Sequence, residues 1–282
     1  VIFTGAIGGR IAAGLCLSWL AVYYSVPNLL WFWLIIHGSA FLLFGLIGHL
    51  FVKTQIQRFI ETGNEKRNGS LFEKLRRFVI TLTNSRLVLF LVLSSIFSTV
   101  AFYFCEFQTA EIFNNTFPSE NELARFYGLF AIFASLIAFL FQGGVTGNLI
   151  QRFGISNTNV LYPTLIMSGF IGTFFSYAFL PGVWLKFLNG GLSNALFQPV
   201  NNLFYNALPV KEKARIITIN EGVLLPLGTV LTGIFLYNFG TSQELIMTIP
   251  IIVGAGWVIL AVMMKKPYRD GLLQLLRSSS LD

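Results

Sequence analysis

Charge is scarce in this chain. Only 11% of its 282 residues are Asp, Glu, Lys or Arg, against about 25% in soluble domains. Too little ionic surface is available to coat a water-exposed fold. Cysteine and histidine are scarcer still: Cys16, Cys105, His37 and His49 are the whole complement, and their spacing excludes a disulfide framework and a Cys/His metal site. The two histidines, on separate stretches of one apolar run, read as packing or interface residues. No glycine-rich loop ending in Lys-Ser or Lys-Thr is present, and no HExxH, so the sequence offers no nucleotide-hydrolysing or zinc-protease machinery. No enzyme activity, cofactor or metal is therefore expected. The formal charge of +7 does not point to nucleic acid either, because the basic residues stand at the ends of apolar runs rather than along a polar stripe.

What the chain has in abundance is apolar length. Hydrophobic types make up 55% of it, Phe alone supplies 30 residues, and the mean hydropathy is +0.71. Runs of the roughly twenty residues that a bilayer requires fall at about 1–23, 29–51, 86–105, 123–147, 158–180, 184–206, 216–238 and 243–264. The expected fold class is an all-α polytopic membrane protein with eight transmembrane helices. Tyr23, Tyr24, Trp31 and Trp33 flank the uncharged turn between the first two runs as an interfacial aromatic belt.

The segment from Lys53 to Arg86 carries eight Lys or Arg against three Glu. A basic connector of this kind belongs on the cytoplasmic side. Residues 70–80 within it have the spacing of an amphipathic helix on the inner leaflet; a solvated linker is the alternative. With the connector, the 148–157 and 207–215 loops and the tail inside, sixteen of the nineteen basic residues fall on one face. Arg10, Arg125 and Lys186 are the remainder. The expected location is a bacterial inner membrane with connector and C-terminus cytoplasmic. Four regions follow: two helices over 1–52, the connector over 53–85, a six-helix bundle over 86–264, and a tail over 265–282. The chain opens inside an apolar run without a methionine, as expected for a piece whose preceding helices are absent.

Several polar residues stand within these runs. An ionisable group at membrane depth costs about 2.5–3.5 kcal/mol on insertion scales and belongs against protein or a water-filled cavity. Arg10 follows Gly5, Gly8 and Gly9; Gly5, Gly9 and Ala13 form a small-residue stripe suited to close helix packing. Arg10 reads either as a fixed cation for an anionic cargo or as a residue snorkelling to an interface. Asn194, Gln198, Asn201 and Asn202, with Tyr205 one turn on, repeat at helical spacing. They are candidates for a substrate path, with interhelical bonding as the alternative. Glu221, Gly222 and Pro226 form a candidate gate, since Pro226 frees the Gly222 carbonyl; equally, Glu221 pairs with Lys211, Lys213 or Arg215. Glu106, Arg125 and Arg152 complete the gating and coupling candidates, with Arg125 a partner for Glu106 or Glu122.

Two spans, a long connector and six spans resemble the end of the first half, the central loop and the complete second half of a major facilitator superfamily transporter. The turn GNLIQRFG, Gly147 to Gly154, resembles that superfamily's cytoplasmic turn, with Gln151 where its acidic residue usually stands. FYFCEFQTAEIF from Phe102, ENELARFYGLF from Glu120 and YNALPVKEKARIITINEGVLLPLGTVLTG from Tyr205 resemble the branch of bacterial and plastid ATP/ADP translocases. That resemblance implies a secondary active transporter working by alternating access between two bundles. Its partners would be membrane lipids, a small polar or anionic solute such as a nucleotide, and protons or a counter-substrate. A lipid transporter or a transporter-like sensor or scaffold is the alternative on the same fold.

Overall fold

The computed structural model describes residues 2–62 and 85–279. Among these the chain forms seven continuous helical stretches: α1 (Ile2–Tyr23), α2 (Val26–Thr62), α3 (Arg86–Thr116), α4 (Glu120–Phe175), α5 (179–207), α6 (210–239) and α7 (243–279). The connector's expected amphipathic helix lies outside the described residues.

Helix starts follow local chemistry. Ser85 and Ser119 are extended N-caps whose side chains accept the Val88 and Glu122 backbone N–H groups, opening α3 and α4. Glu120 and Glu122 place negative charge in the first turn of α4, where the helix dipole favours it. The long helix α4 is broken at Gly154, whose φ of 76° lies in the left-handed region that glycine adopts without a Cβ clash. A straight helix of 56 residues would extend about 84 Å. Across the break, the Thr158 hydroxyl donates to the carbonyls of Gly154 and Leu149 at 2.8 and 3.3 Å.

The expected eight-span fold is overturned. Four helical segments among the described residues are long and apolar enough to cross a membrane: Arg86–Thr116, Glu120–Phe175, Glu212–Phe239 and Gln243–Arg277. The two expected N-terminal spans give only the shorter apolar segments Gly8–Tyr23 and Pro27–Leu43. The expected spans at 123–147 and 158–180 fall on the two sides of the Gly154 break in α4, and the 184–206 run is divided into α, π and 3₁₀ pieces. Apolar windows register composition and length; they do not register where a helix changes its winding. The four long segments fit membrane association. Their surfaces agree, for Leu140, Phe175 and Tyr237 are 69%, 81% and 90% exposed. Apolar side chains this open need a lipid-like neighbour.

The buried core lies between α3, α4, α5 and α7. Leu91 and Phe104 of α3, Ile166 and Phe170 of α4, Leu188 and Leu196 of α5 and Trp257 of α7 are nearly inaccessible. Tyr162, Phe197 and Trp257 form an aromatic cluster, Tyr162 stacked on Phe197 with centroids 5.0 Å apart and Trp257 edge-on to both. Gln108 ties α3 to α7 and α4: its Nε2 donates to the Ile246 carbonyl at 2.7 Å and its Oε1 accepts from Thr173 at 3.0 Å.

The small-residue contact of α1 differs from the expected stripe. A Cβ at Gly9 would meet open space, whereas one at Gly14 would lie 2.7 Å from the Gly128 carbonyl oxygen. A Cβ at Gly128 would lie 2.7 Å from the Ser18 backbone nitrogen. The crossing of α1 and α4 therefore uses Gly14 and Ser18 at i,i+4, on a different side of the helix from Gly9. Gly128→Leu should force the two backbones apart and destabilise the folded chain by about 1–3 kcal/mol, the usual range for overpacking. Gly9→Ala should be neutral to within about 0.5 kcal/mol. Thermal denaturation of both variants in one detergent tests this, and equal shifts would overturn the assigned crossing.

Candidate functional site

Three of the helices contain a stretch of π-helix: Phe141–Thr146 in α4, Leu188–Phe197 in α5 and Asn220–Leu224 in α6. Each closes its ring over five residues instead of four. At their C-terminal ends the Gln198 N–H donates to the Ser193 carbonyl and the Leu225 N–H to the Asn220 carbonyl. Such wide turns concentrate at functional sites because they rotate side chains off the regular 3.6-residue face. Here two of them border one cavity, and the third is joined to the second by Thr146, whose hydroxyl donates to the Ala195 carbonyl at 2.7 Å.

That cavity, called the main cavity below for its polar lining, has a volume of about 400 Å³; a larger space of about 680 Å³ lies beside Arg86, Glu212, Lys266 and Asp270. Helix α3 contributes Ser95, Ser98 and Thr99; α5 contributes Asn189, Ser193, Gln198, Asn201, Asn202 and Tyr205; α6 contributes Asn220 and Glu221; Tyr162 and Trp257 bring the aromatic cluster to its wall. Hydroxyls and amides dominate, and each can donate and accept. Ser95 lies nine residues into α3, about 14 Å from that helix's start. The cavity thus sits toward the end of the bundle that carries Arg86, Lys213 and Arg215.

Asn220 is the best-defined polar group in this wall. It is 5% exposed, and its Nδ2 donates to Ser95 Oγ at 2.9 Å and to Tyr205 Oη at 3.3 Å. Ser95 spends its own proton on the Leu91 carbonyl at 3.1 Å. Its oxygen therefore faces Asn220 as an acceptor, which turns the amide nitrogen toward it. Asn220 Oδ1, on the other side, is buried without a hydrogen-bond partner. A buried acceptor left open in this way costs about 1–3 kcal/mol.

A second, smaller cavity of about 190 Å³ lies between α1, α4 and α5, lined by Arg10, Tyr127, Lys186 and Asn194 among others. Arg10 donates to Asn194 Oδ1 at 3.3 Å. Lys186 pairs with Glu106 Oε2 at 2.5 Å, and Asn189 donates to Glu106 Oε1 at 2.9 Å. The Lys186 ammonium also stands 5.5 Å from the centroid of the Tyr127 ring. Asn189 faces the main cavity and Lys186 the smaller one, so Glu106 holds the partition between them.

The expected site residues thus separate into groups. Gln198, Asn201, Asn202, Tyr205 and Glu221 come together in the main cavity; Arg10 and Asn194 meet in the smaller one. The even amide ladder expected from 194 to 205 is split, because the π segment through Phe197 turns Asn194 away from the residues that follow. Glu106 finds Lys186 rather than Arg125. Arg125 and Arg152 are exposed, and neither makes an ion pair among the described residues. Gly222 and Pro226 are exposed and outside the cavity lining. The expected bend at Pro226 takes the form of the π segment just before it. Glu221 makes no ion pair with Lys213 or Arg215, and the side chain of the third expected partner, Lys211, lies outside the described ones; Lys213 instead donates to Asn206 Oδ1 at 2.6 Å. At the opposite end, Tyr177 donates to Glu111 at 2.8 Å. Burial, then the bond to that carboxylate and its charge, raise the Tyr177 phenol far above its ordinary range, so it stays a donor.

Sequence reasoning passed over Ser95, Ser98, Thr99, Asn189 and Asn220. A signal existed for the first three, polar residues at i, i+3 and i+4 in an otherwise apolar run. Lys186 also left one, as a cation in an apolar run far from the basic end.

No family model matches the sequence, and no curated protein matches it. The resemblance to the major facilitator superfamily and its ATP/ADP translocase branch is therefore unsupported by comparison, and the architecture contradicts it. Four membrane-length segments among seven helical stretches do not form the two bundles that alternating access requires. The secondary-transporter reading, its nucleotide cargo and the alternatives placed on that same fold fall with it.

The Glu106 partition can be tested by a double-mutant cycle. Lys186→Met alone should lower the melting temperature, by leaving the Glu106 carboxylate among partners suited to its charge pair. Adding Glu106→Gln should recover at least half of the loss, since removing both charges costs less than orphaning one. Strict additivity in thermal melts of the two single variants and the double variant would show that the pair is not coupled.

Proposed function

We propose that this chain is a membrane-embedded helical bundle that binds a small polar solute in the hydroxyl- and amide-lined cavity between α3, α5 and α6. The observation that carries this reading is a 400 Å³ cavity whose wall gathers hydroxyls and amides from three helices, with Asn220 among them keeping an amide oxygen that has no partner among the described residues. A turn of the Asn220 side chain that brought this buried oxygen to a solute hydroxyl or N–H would recover the cost of its burial. Ligand sites combine an apolar wall with a few well-placed polar groups, and the Tyr162, Phe197 and Trp257 cluster supplies the apolar part.

Charge placement supports a bacterial inner membrane with the Arg152, Lys213, Arg215 and Lys265 end in the cytoplasm. The cavity, lying toward that end, would exchange its solute with the cytoplasm, and the open apolar faces of α4 and α6 would contact lipid.

The full chain in lipid nanodiscs, titrated with polyols, amino alcohols and sugars while its tryptophan fluorescence is followed, should show saturable binding of at least one class. Asn220→Ala should weaken that binding by about tenfold, the equivalent of one hydrogen bond of about 1.4 kcal/mol. The proposal fails if no polar solute binds saturably, or if Asn220→Ala binds as the parent chain does.

A further inference from the structure

The sign of charge in the main cavity narrows the class of solute. Glu221 is the one Asp, Glu, Lys, Arg or His side chain among the described residues that line it. Its carboxylate has no ion-pair partner among the described residues. Asn220, next to it on the same π segment, also lines the wall, and its buried Oδ1 is a further acceptor without a partner among the described residues. The cations that would suit an anionic solute are elsewhere: Arg10 and Lys186 line the smaller cavity, where Asn194 and Glu106 engage them.

Building on the solute-binding reading above, we propose that the solute of the main cavity carries an ammonium group. Glu221 provides its counter-charge and Asn220 Oδ1 accepts one of its N–H or hydroxyl protons. Ammonium suits this wall on three grounds. It is a donor with no lone pair, so it complements two acceptors and strands neither. It supplies a counter-charge to Glu221, which has no ion-pair partner among the described residues. Tyr103, Tyr162 and Trp257 also line the cavity, and aromatic rings attract cations through their quadrupoles. A carboxylate or phosphate would meet Glu221 with like charge and leave the Asn220 oxygen unpaired.

Two matched probe series test the inference on the full chain in nanodiscs by calorimetry at neutral pH. The first is 4-amino-1-butanol, 1,4-butanediol and 4-hydroxybutyrate; the second is D-glucosamine, D-glucose and D-glucuronate. In at least one series the ammonium member should bind ten times or more tighter than the neutral member, with the acid weakest. Glu221→Gln should remove that advantage, while Asn220→Ala weakens the charged and neutral members by similar factors. The charge series on the unaltered chain decides the point even where Glu221→Gln does not assemble. A neutral or acidic member binding as tightly as the amine, with sensitivity to Asn220→Ala, would overturn the ammonium assignment and leave solute binding in place. An advantage that survives Glu221→Gln overturns the assignment as well. Absence of saturable binding by every member of both series would overturn this inference and the solute-binding reading together.

Discussion

Backbone amides surrounded by apolar side chains must find their hydrogen bonds inside the chain. An extra residue in such a helix cannot be bulged out as a loop; it has to be wound in, and a π turn is the winding that takes one more residue while keeping the ladder closed. Three helices here solve the problem in that way. Each wide turn shifts the face that follows, and the polar side chains of α5 and α6 are thereby swung into a common space. The cavity is thus a by-product of keeping backbone amides satisfied, and its lining is decided by where the extra residues fall.

This constraint also separates what sequence reading reaches from what it does not. Gln198, Asn201, Asn202 and Tyr205 follow the π segment of α5 and keep the regular helical period, so their common face was visible in the spacing. Asn194 sits inside the π segment and was assigned to the same face although it turns to Arg10. Ser95, Ser98 and Thr99 were hidden by their surroundings, since a window scored for hydropathy counts them as minor interruptions of an apolar run. The apolar, all-helical character was legible from composition. The number of crossings was not: hydropathy does not reveal that 179–207 breaks into α, π and 3₁₀ pieces. Motif likeness misled for a related reason, because short glycine- and arginine-containing turns recur wherever apolar helices end in water.

Electrostatic separation is the second organising feature. Three charged groups in the interior region, Glu106, Lys186 and Arg10, are gathered around the smaller cavity, where a carboxylate, two amides and an aromatic face hold them. Among the described residues that line the main cavity, Glu221 is the one that carries a charge. Asn189 stands at the border, one side in the main cavity and its amide nitrogen on Glu106. Two small spaces of opposite character thus meet where Asn189 and Lys186 both engage Glu106. A change of hydrogen bonding at Asn189 would be felt on both sides without any movement of the helices.

The close passage of Gly14 against Gly128 bears on how the chain is made. These residues are 114 positions apart, and at about 5–20 residues per second of synthesis the second appears roughly 6–23 s after the first. During that interval α1 has lost the ribosome's protection and has not yet met its partner. An apolar helix can wait in lipid, because tails are as apolar as its side chains and no backbone group is left open. What the wait requires is that nothing else occupy the glycine groove. A groove with no side chain offers little to grip until another backbone fits it closely, so the feature that makes the final contact tight also keeps the early helix unattached.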